Sequence, residues 1–103
     1  MLRVEMHDSI DSLIFRLRGQ FTGEEAEYTR TLMGRCHTKM KLVVDLTEVV
    51  FVDSVGESVL SFLKRLGAKF IAKGSYALEV CERLRLPLTR NGISRLRTAG
   101  VPS

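Results

Sequence analysis

One block limits the folds open to this chain more than any other. Leu42-Val43-Val44-Asp45-Leu46 is followed, after Thr47-Glu48, by Val49-Val50-Phe51-Val52. The second run leads to Asp53, and Leu42, Val43, Val44 and Leu46, nearly continuous and β-branched, suit a central strand covered on both faces. Helical periodicity flanks it on either side. Before it, Ala26, Thr29, Leu32, Met33 and Cys36 recur at three- and four-residue intervals, which predicts a helix over about Gly23 to Cys36. Thr22-Gly23-Glu24-Glu25 reads as a capping box opening that helix. After the block, Val55, Val59, Phe62, Leu63 and Leu66 form one apolar face opposite Glu57, Ser58, Ser61, Lys64 and Arg65. Gly67 then stands where a C′ residue ends such a helix.

The outer parts of the chain complete the pattern. Leu2, Val4 and Met6 alternate with Arg3, Glu5 and His7, and Leu13, Phe15 and Leu17 alternate with Ile14, Arg16 and Arg18. Two half-buried strands joined by the polar stretch Asp8 to Ser12 make a hairpin. Lys69-Phe70-Ile71-Ala72 predicts a short strand. Ser75 reads as the cap of a third helix striped by Ala77, Val80, Cys81 and Leu84, with Pro87 as its stop. The order β, β, α, β, α, β, α predicts an α/β fold. Its mixed sheet of four to five strands is a leading hairpin and then parallel βαβα, with helices packed on it. A chain of 103 residues suits a single domain over 1–103. Residues 88–103 form a basic C-terminal segment in which Ile93 and Leu96 would anchor a short final helix.

Composition excludes several classes of function. With 45% hydrophobic and 27% charged residues, the chain has enough apolar surface to bury and is not expected to be disordered. No apolar run approaches the ~20 residues of a membrane span, and "MLRVEMHDSID" has no apolar core of a signal peptide. We therefore expect a cytoplasmic protein without membrane insertion. The net charge of +4 owes much to Arg83, Arg85, Arg90, Arg95 and Arg97. Tyr76 is the sole aromatic after Phe70, so a stacking platform for nucleic acid is missing and nucleic acid is not expected as a partner. Cys36 and Cys81 lack C-x-x-C spacing and read as small buried hydrophobes. The Cys36-His37 pair has no second ligand pair, so neither metal nor cofactor is expected.

Chemistry concentrates at Asp53-Ser54-Val55-Gly56-Glu57, where the apolar run meets the second helix. In sheets of this kind ligands gather at the carboxyl ends of strands. Ser54 lacks the preceding glycine of a nucleophile elbow, and neither a Walker motif nor G-x-G-x-x-G occurs, so we expect no enzyme. Asp45 and Asp53 close strand-like runs but lack the acid cluster of a phosphoaspartate site. Two capping registers fit the junction equally. Ser54-Val55-Gly56-Glu57 spells a capping box, S-x-x-E; with Asp53 as the cap, Ser54 becomes the first helical residue and its hydroxyl points outward. A hydroxyl there is also well placed to accept phosphate, because free amides and the helix dipole stabilise the added charge.

These segments resemble the STAS domain of bacterial anti-sigma factor antagonists. "VVDLTEVVFVDSVGESVL" is similar to the family's central block, in which a hydrophobic strand leads through a short turn to D-S-x-G and a helix. "RLRGQFTGEEA" resembles its entry to the first helix, and "GAKFIAKGSYALEVCERLRL" the strand and helix that follow. The resemblance spans roughly Leu2 to Leu88. It implies a partner-switching protein whose phospho-acceptor is Ser54. Its partners would be a GHKL-type serine kinase that is also an anti-sigma factor, and a phosphatase that restores the serine. Asp53, Val55, Gly56, Glu57 and Thr22 would contribute partner contacts, Thr22 standing where the family commonly has an acid. A second reading in another class is a constitutive STAS-fold subunit of a lipid-transport complex or stress-signalling scaffold, without a phosphorylation cycle.

Overall fold

The computed structural model describes residues 1–8, 10–36 and 41–89, residue 36 by its backbone alone. Seven elements follow in the expected order: β1 (Leu2–Asp8), β2 (Ser12–Phe21), α1 (Gly23–Cys36), β3 (Lys41–Val52), α2 (Ser54–Arg65), β4 (Lys69–Ile71) and α3 (Ser75–Leu84). The strands form one sheet in the order β1-β2-β3-β4. β1 runs antiparallel to β2, whereas β2–β3 and β3–β4 are parallel. Residues 87–89 add a stub beside β4, with Leu88 bridging Phe70. The predicted final helix lies outside the described residues.

The sheet buries one face. Leu13, Phe15 and Leu17 of β2 stand beside Leu42, Val44 and Leu46 of β3 and Phe70 of β4, all at most 7% exposed. Ala26 and Met33 of α1, Val59, Leu60 and Leu63 of α2, and Ala77, Val80 and Cys81 of α3 join the same cluster. The expectation that β3 is covered on both faces is therefore corrected: Val43 is half-buried, and Asp45 beside it lies 3.4 Å from Arg16 Nε. Glu5 and Glu48 extend this lattice to Arg16 and Arg18 at 3.3–3.9 Å.

Local chemistry sets the helix ends. α2 closes in a Schellman motif, with the Gly67 N–H donating to Lys64 O at 2.9 Å and the Ala68 N–H to Leu63 O at 3.1 Å. Gly67 takes φ +95°, as its place in the sequence predicted. α3 ends the same way without a glycine: Arg85 adopts φ 57°, and the Leu86 N–H reaches Cys81 O at 2.8 Å. Pro87 lies past that stop, and its carbonyl pairs with the Phe70 N–H at 2.8 Å. Gly74, not Ser75, holds the N-cap position of α3. The Thr22 capping box does not form either. Glu25 Oε2 accepts the Leu2 N–H at 3.3 Å, fastening the start of β1 to the first turn of α1.

Candidate functional site

Parallel pairing brings the ends of β2 and β3 side by side, Phe21 opposite Val52, so both strands deliver the chain to helices at one edge. Asp53 stands at that edge in extended conformation (φ −91°, ψ −173°) and caps α2. Its Oδ1 accepts the Gly56 N–H at 2.8 Å, and its Oδ2 accepts the Gly23 N–H at 3.2 Å. One carboxylate thus satisfies an orphan amide in each of two helix starts, where both dipoles favour negative charge. Thr22, just before Gly23, is half-buried and supplies the carbonyl that accepts the first α1 bond, from the Ala26 N–H at 3.1 Å.

This geometry decides between the two capping registers. Asp53 is the cap, and Ser54 is the first helical residue, exposed. Among the described residues its hydroxyl makes no hydrogen bond. The Ser54 and Val55 amides, in the first turn, have no carbonyl to bond within the helix. Ser54, Ser58, Ser61 and Arg65 line a shallow groove of about 410 Å³ along α2 that ends at Leu84.

The other predicted contact residues divide between surface and interior. Glu57 does not reach back to cap the helix. It pairs with Arg83 of α3, which also meets Glu79 at 3.0 Å. Glu57 first, then Glu79, holds the Arg83 guanidinium still more firmly in its charged form. Val55 is half-buried against the core. Gly56 is buried, and a Cβ there would fall on the Phe21 carbonyl oxygen and come within 2.9 Å of Val52 Cγ1. Gly56 is the contact point between α2 and the end of β2. The edge is further braced by Tyr76 of α3, whose hydroxyl accepts the Val52 N–H at 2.8 Å.

Two features of the edge escape the periodicity. Between Gly19↔Val49 and Gln20↔Phe51 the register shifts by one residue, leaving Val50 unpaired. At the bulge both Val50 (65% exposed) and Phe51 (49%) face solvent, a few positions before Ser54 in the chain. An unbroken apolar run gives no sign of a bulge, so sequence alone hides this patch. Arg83 was visible only as one more basic residue, because its partner Glu57 lies 26 positions away. Asp45 lies within β3, fastened to Arg16, well before the end of the strand that reaches the edge.

Residues 1–70 match the STAS domain family. The chain belongs to that family. Its fold is that of anti-sigma factor antagonists: one from Mycobacterium paratuberculosis superposes with a TM-score of 0.76 at 18% identity, covering 95% of this chain and 96% of that one. The anti-sigma factor antagonist SpoIIAA in its unphosphorylated form gives 0.68 at 13% identity, covering 96% and 100%. A protein with a SpoIIAA-like fold from Shewanella loihica gives 0.55 at 18% identity, covering 84% and 81%. No curated protein shows a significant match. Among the described residues of this STAS domain, no helix is long and apolar enough to cross a membrane.

Proposed function

We propose that this STAS domain is a partner switch of the anti-sigma factor antagonist kind, with Ser54 as its phospho-acceptor. Unmodified, it binds a GHKL-type serine kinase that doubles as an anti-sigma factor; phosphorylated, it lets go until a phosphatase restores the hydroxyl. The observation that carries this reading is the division of labour at the α2 start. Asp53 does the capping, so the Ser54 hydroxyl is exposed and can be modified without unmaking the helix.

The docking face combines that hydroxyl with Val50, Phe51 and Thr22 on one side and the Glu57–Arg83 pair on the other. Asp53, Val55 and Gly56 hold its backbone in place from beneath. A phosphate would bring about −1.5 to −2 charges beside two exposed apolar side chains, and burying that charge opposes docking. The Ser54 and Val55 amides solvate the phosphate in the free protein, so the fold survives modification. The chain supplies acceptor and surface, and the kinase supplies the chemistry.

Incubation with GHKL-type serine kinases from the same organism and ATP tests the assignment. We expect one added phosphate, located at Ser54 by mass spectrometry and lost in Ser54→Ala. Phosphate at another residue, or none, contradicts it. Co-purification with permease or scaffold subunits instead of a kinase supports the constitutive-subunit reading.

A further inference from the structure

The two edges of the sheet are finished differently. Beyond β4, residues 87–89 pair with the strand, the Phe70 N–H donating to Pro87 O and the Thr89 N–H to Phe70 O, each at 2.8 Å. Beyond β1, among the described residues, no strand follows. β1 is seven residues long and pairs with β2 without a register shift. Its sequence LRVEMHD holds no proline or lysine to blunt the edge, and its charges, Arg3, Glu5 and Asp8, are of both signs.

The direction of its free backbone groups follows from its pairing. The Gln20 N–H donates to Met1 O at 3.3 Å. Since bonded and non-bonded pairs alternate along an antiparallel ladder, Arg3, Glu5 and His7 turn their backbone groups toward β2, and Leu2, Val4 and Met6 turn theirs outward. Val4 lies opposite Leu17, so the outward-bonding residues place their side chains on the core side of the sheet. There a groove of about 460 Å³ opens between β1 and α1, lined by Leu2, Val4 and Tyr28 among others. Met6 is 55% exposed and Tyr28 67%.

We propose that β1 pairs antiparallel with β1 of a second copy of this chain, about a two-fold axis at Val4. The two sheets then continue as one of eight strands, four from each copy. The ladder permits only outward-facing residues to oppose one another, which leaves three registers that keep most of the strand. Val4 opposite Leu2 sets Arg3 against Arg3. Val4 opposite Met6 sets Glu5 against Glu5. Val4 opposite Val4 sets Arg3 against Glu5 twice on one face, and Leu2 against Met6 twice on the other. Opposite charges directly across a ladder stabilise and like charges destabilise, so the third register is selected.

This self-complementarity is what identifies the occupant as a second copy. Glu5 already pairs with Arg16 and Arg18 at 3.9 Å each, and Arg3 of the other copy would join that cluster. The Leu2 N–H exchanges its exposed contact with Glu25 for the Met6 carbonyl of the other copy. Both α1 helices fall on the same side of the joined sheet, where the two Tyr28 side chains close the groove. The two Ser54 edges point in opposite directions and stay open, so the pairing is independent of the switch.

Sedimentation up to about 1 mM chain, together with amide exchange, tests the proposal. We expect a concentration-dependent dimer in which the Val4 and Met6 amides exchange slowly and become fast on dilution. Arg3→Glu and Glu5→Arg each raise the dissociation constant at least tenfold, and an equimolar mixture of the two variants recovers a heterodimer. Should Glu5→Arg fail to fold, amide exchange in the unsubstituted chain and the Arg3→Glu result decide alone. A monomer with fast Val4 and Met6 exchange throughout overturns the proposal. So does a dimer indifferent to Arg3→Glu, or protection of these amides only when another protein is added.

Discussion

The Asp53 carboxylate accepts the Gly23 N–H at 3.2 Å across a sequence separation of 30 residues, while its other oxygen caps α2. The two helices that frame the candidate docking edge are therefore registered to each other by one side chain. Ser54 sits on this junction without contributing to it, and that asymmetry carries the functional reading.

The first consequence concerns stability. Asp53→Ala removes an N-cap and a long-range hydrogen bond, each worth about 1 kcal/mol, so a loss of about 2 kcal/mol is expected. Ser54→Ala should stay within about 0.5 kcal/mol of the parent, as an exposed substitution that removes no cap. Urea denaturation midpoints measure both. Equal losses for the two substitutions would return the capping role to Ser54.

Gly56→Ala makes a sharper case. Alanine favours a helix over glycine by about 1 kcal/mol where space allows. Here the new methyl would meet the Phe21 carbonyl and Val52, so overpacking of about 1–3 kcal/mol outweighs the propensity gain. Thermal unfolding should show a net destabilisation and, since α2 must shift, altered amide resonances around Phe21 and Ser54. A stabilised variant would mean that α2 does not approach β2 so closely.

Much of this architecture was legible in the sequence, and what was not has identifiable causes. The seven elements and their order follow from hydrophobic period, because each strand and helix buries one continuous face. The buried face of α2 was misjudged in part: Gly56 and Leu60 lie at its centre, while Val55, Phe62 and Leu66 sit at its margin. A glycine adds nothing to an apolar stripe, so Gly56 goes unseen when only large residues are weighed. The α3 stop was assigned to Pro87, yet Arg85 adopts the left-handed turn without the glycine that would have signalled it. At the site, both capping registers fit S-x-x-E and D-x-x-G alike. The Glu57–Arg83 pair, the bulge at Val50 and the Asp53–Gly23 bond depend on how distant segments are stacked, and local pattern carries no record of that.

Burial also predicts a pH effect. The Cys81 thiol, buried on α3, is pushed up to about 11. The folded chain thus keeps its proton over a range in which the unfolded chain, with an ordinary thiol near 8.5, has lost it. Since the native state then holds more protons, the Cys81 contribution to stability is fully present below about pH 8.5 and declines as pH rises toward 11. In a Cys36→Ser background, a disulfide reagent at pH 8 should modify Cys81 slowly in the native protein and rapidly in urea. Fast native reaction would contradict the placement of that side chain.

The switch itself is tested most directly by the affinity of the purified chain for its kinase, with and without phosphate on Ser54. Calorimetric titration should give tight binding for the unmodified protein and for Ser54→Ala. Phosphorylated protein should bind about a hundredfold more weakly, equivalent to about 3 kcal/mol. Equal affinity in both states, with the phosphate verified on Ser54, would contradict the account.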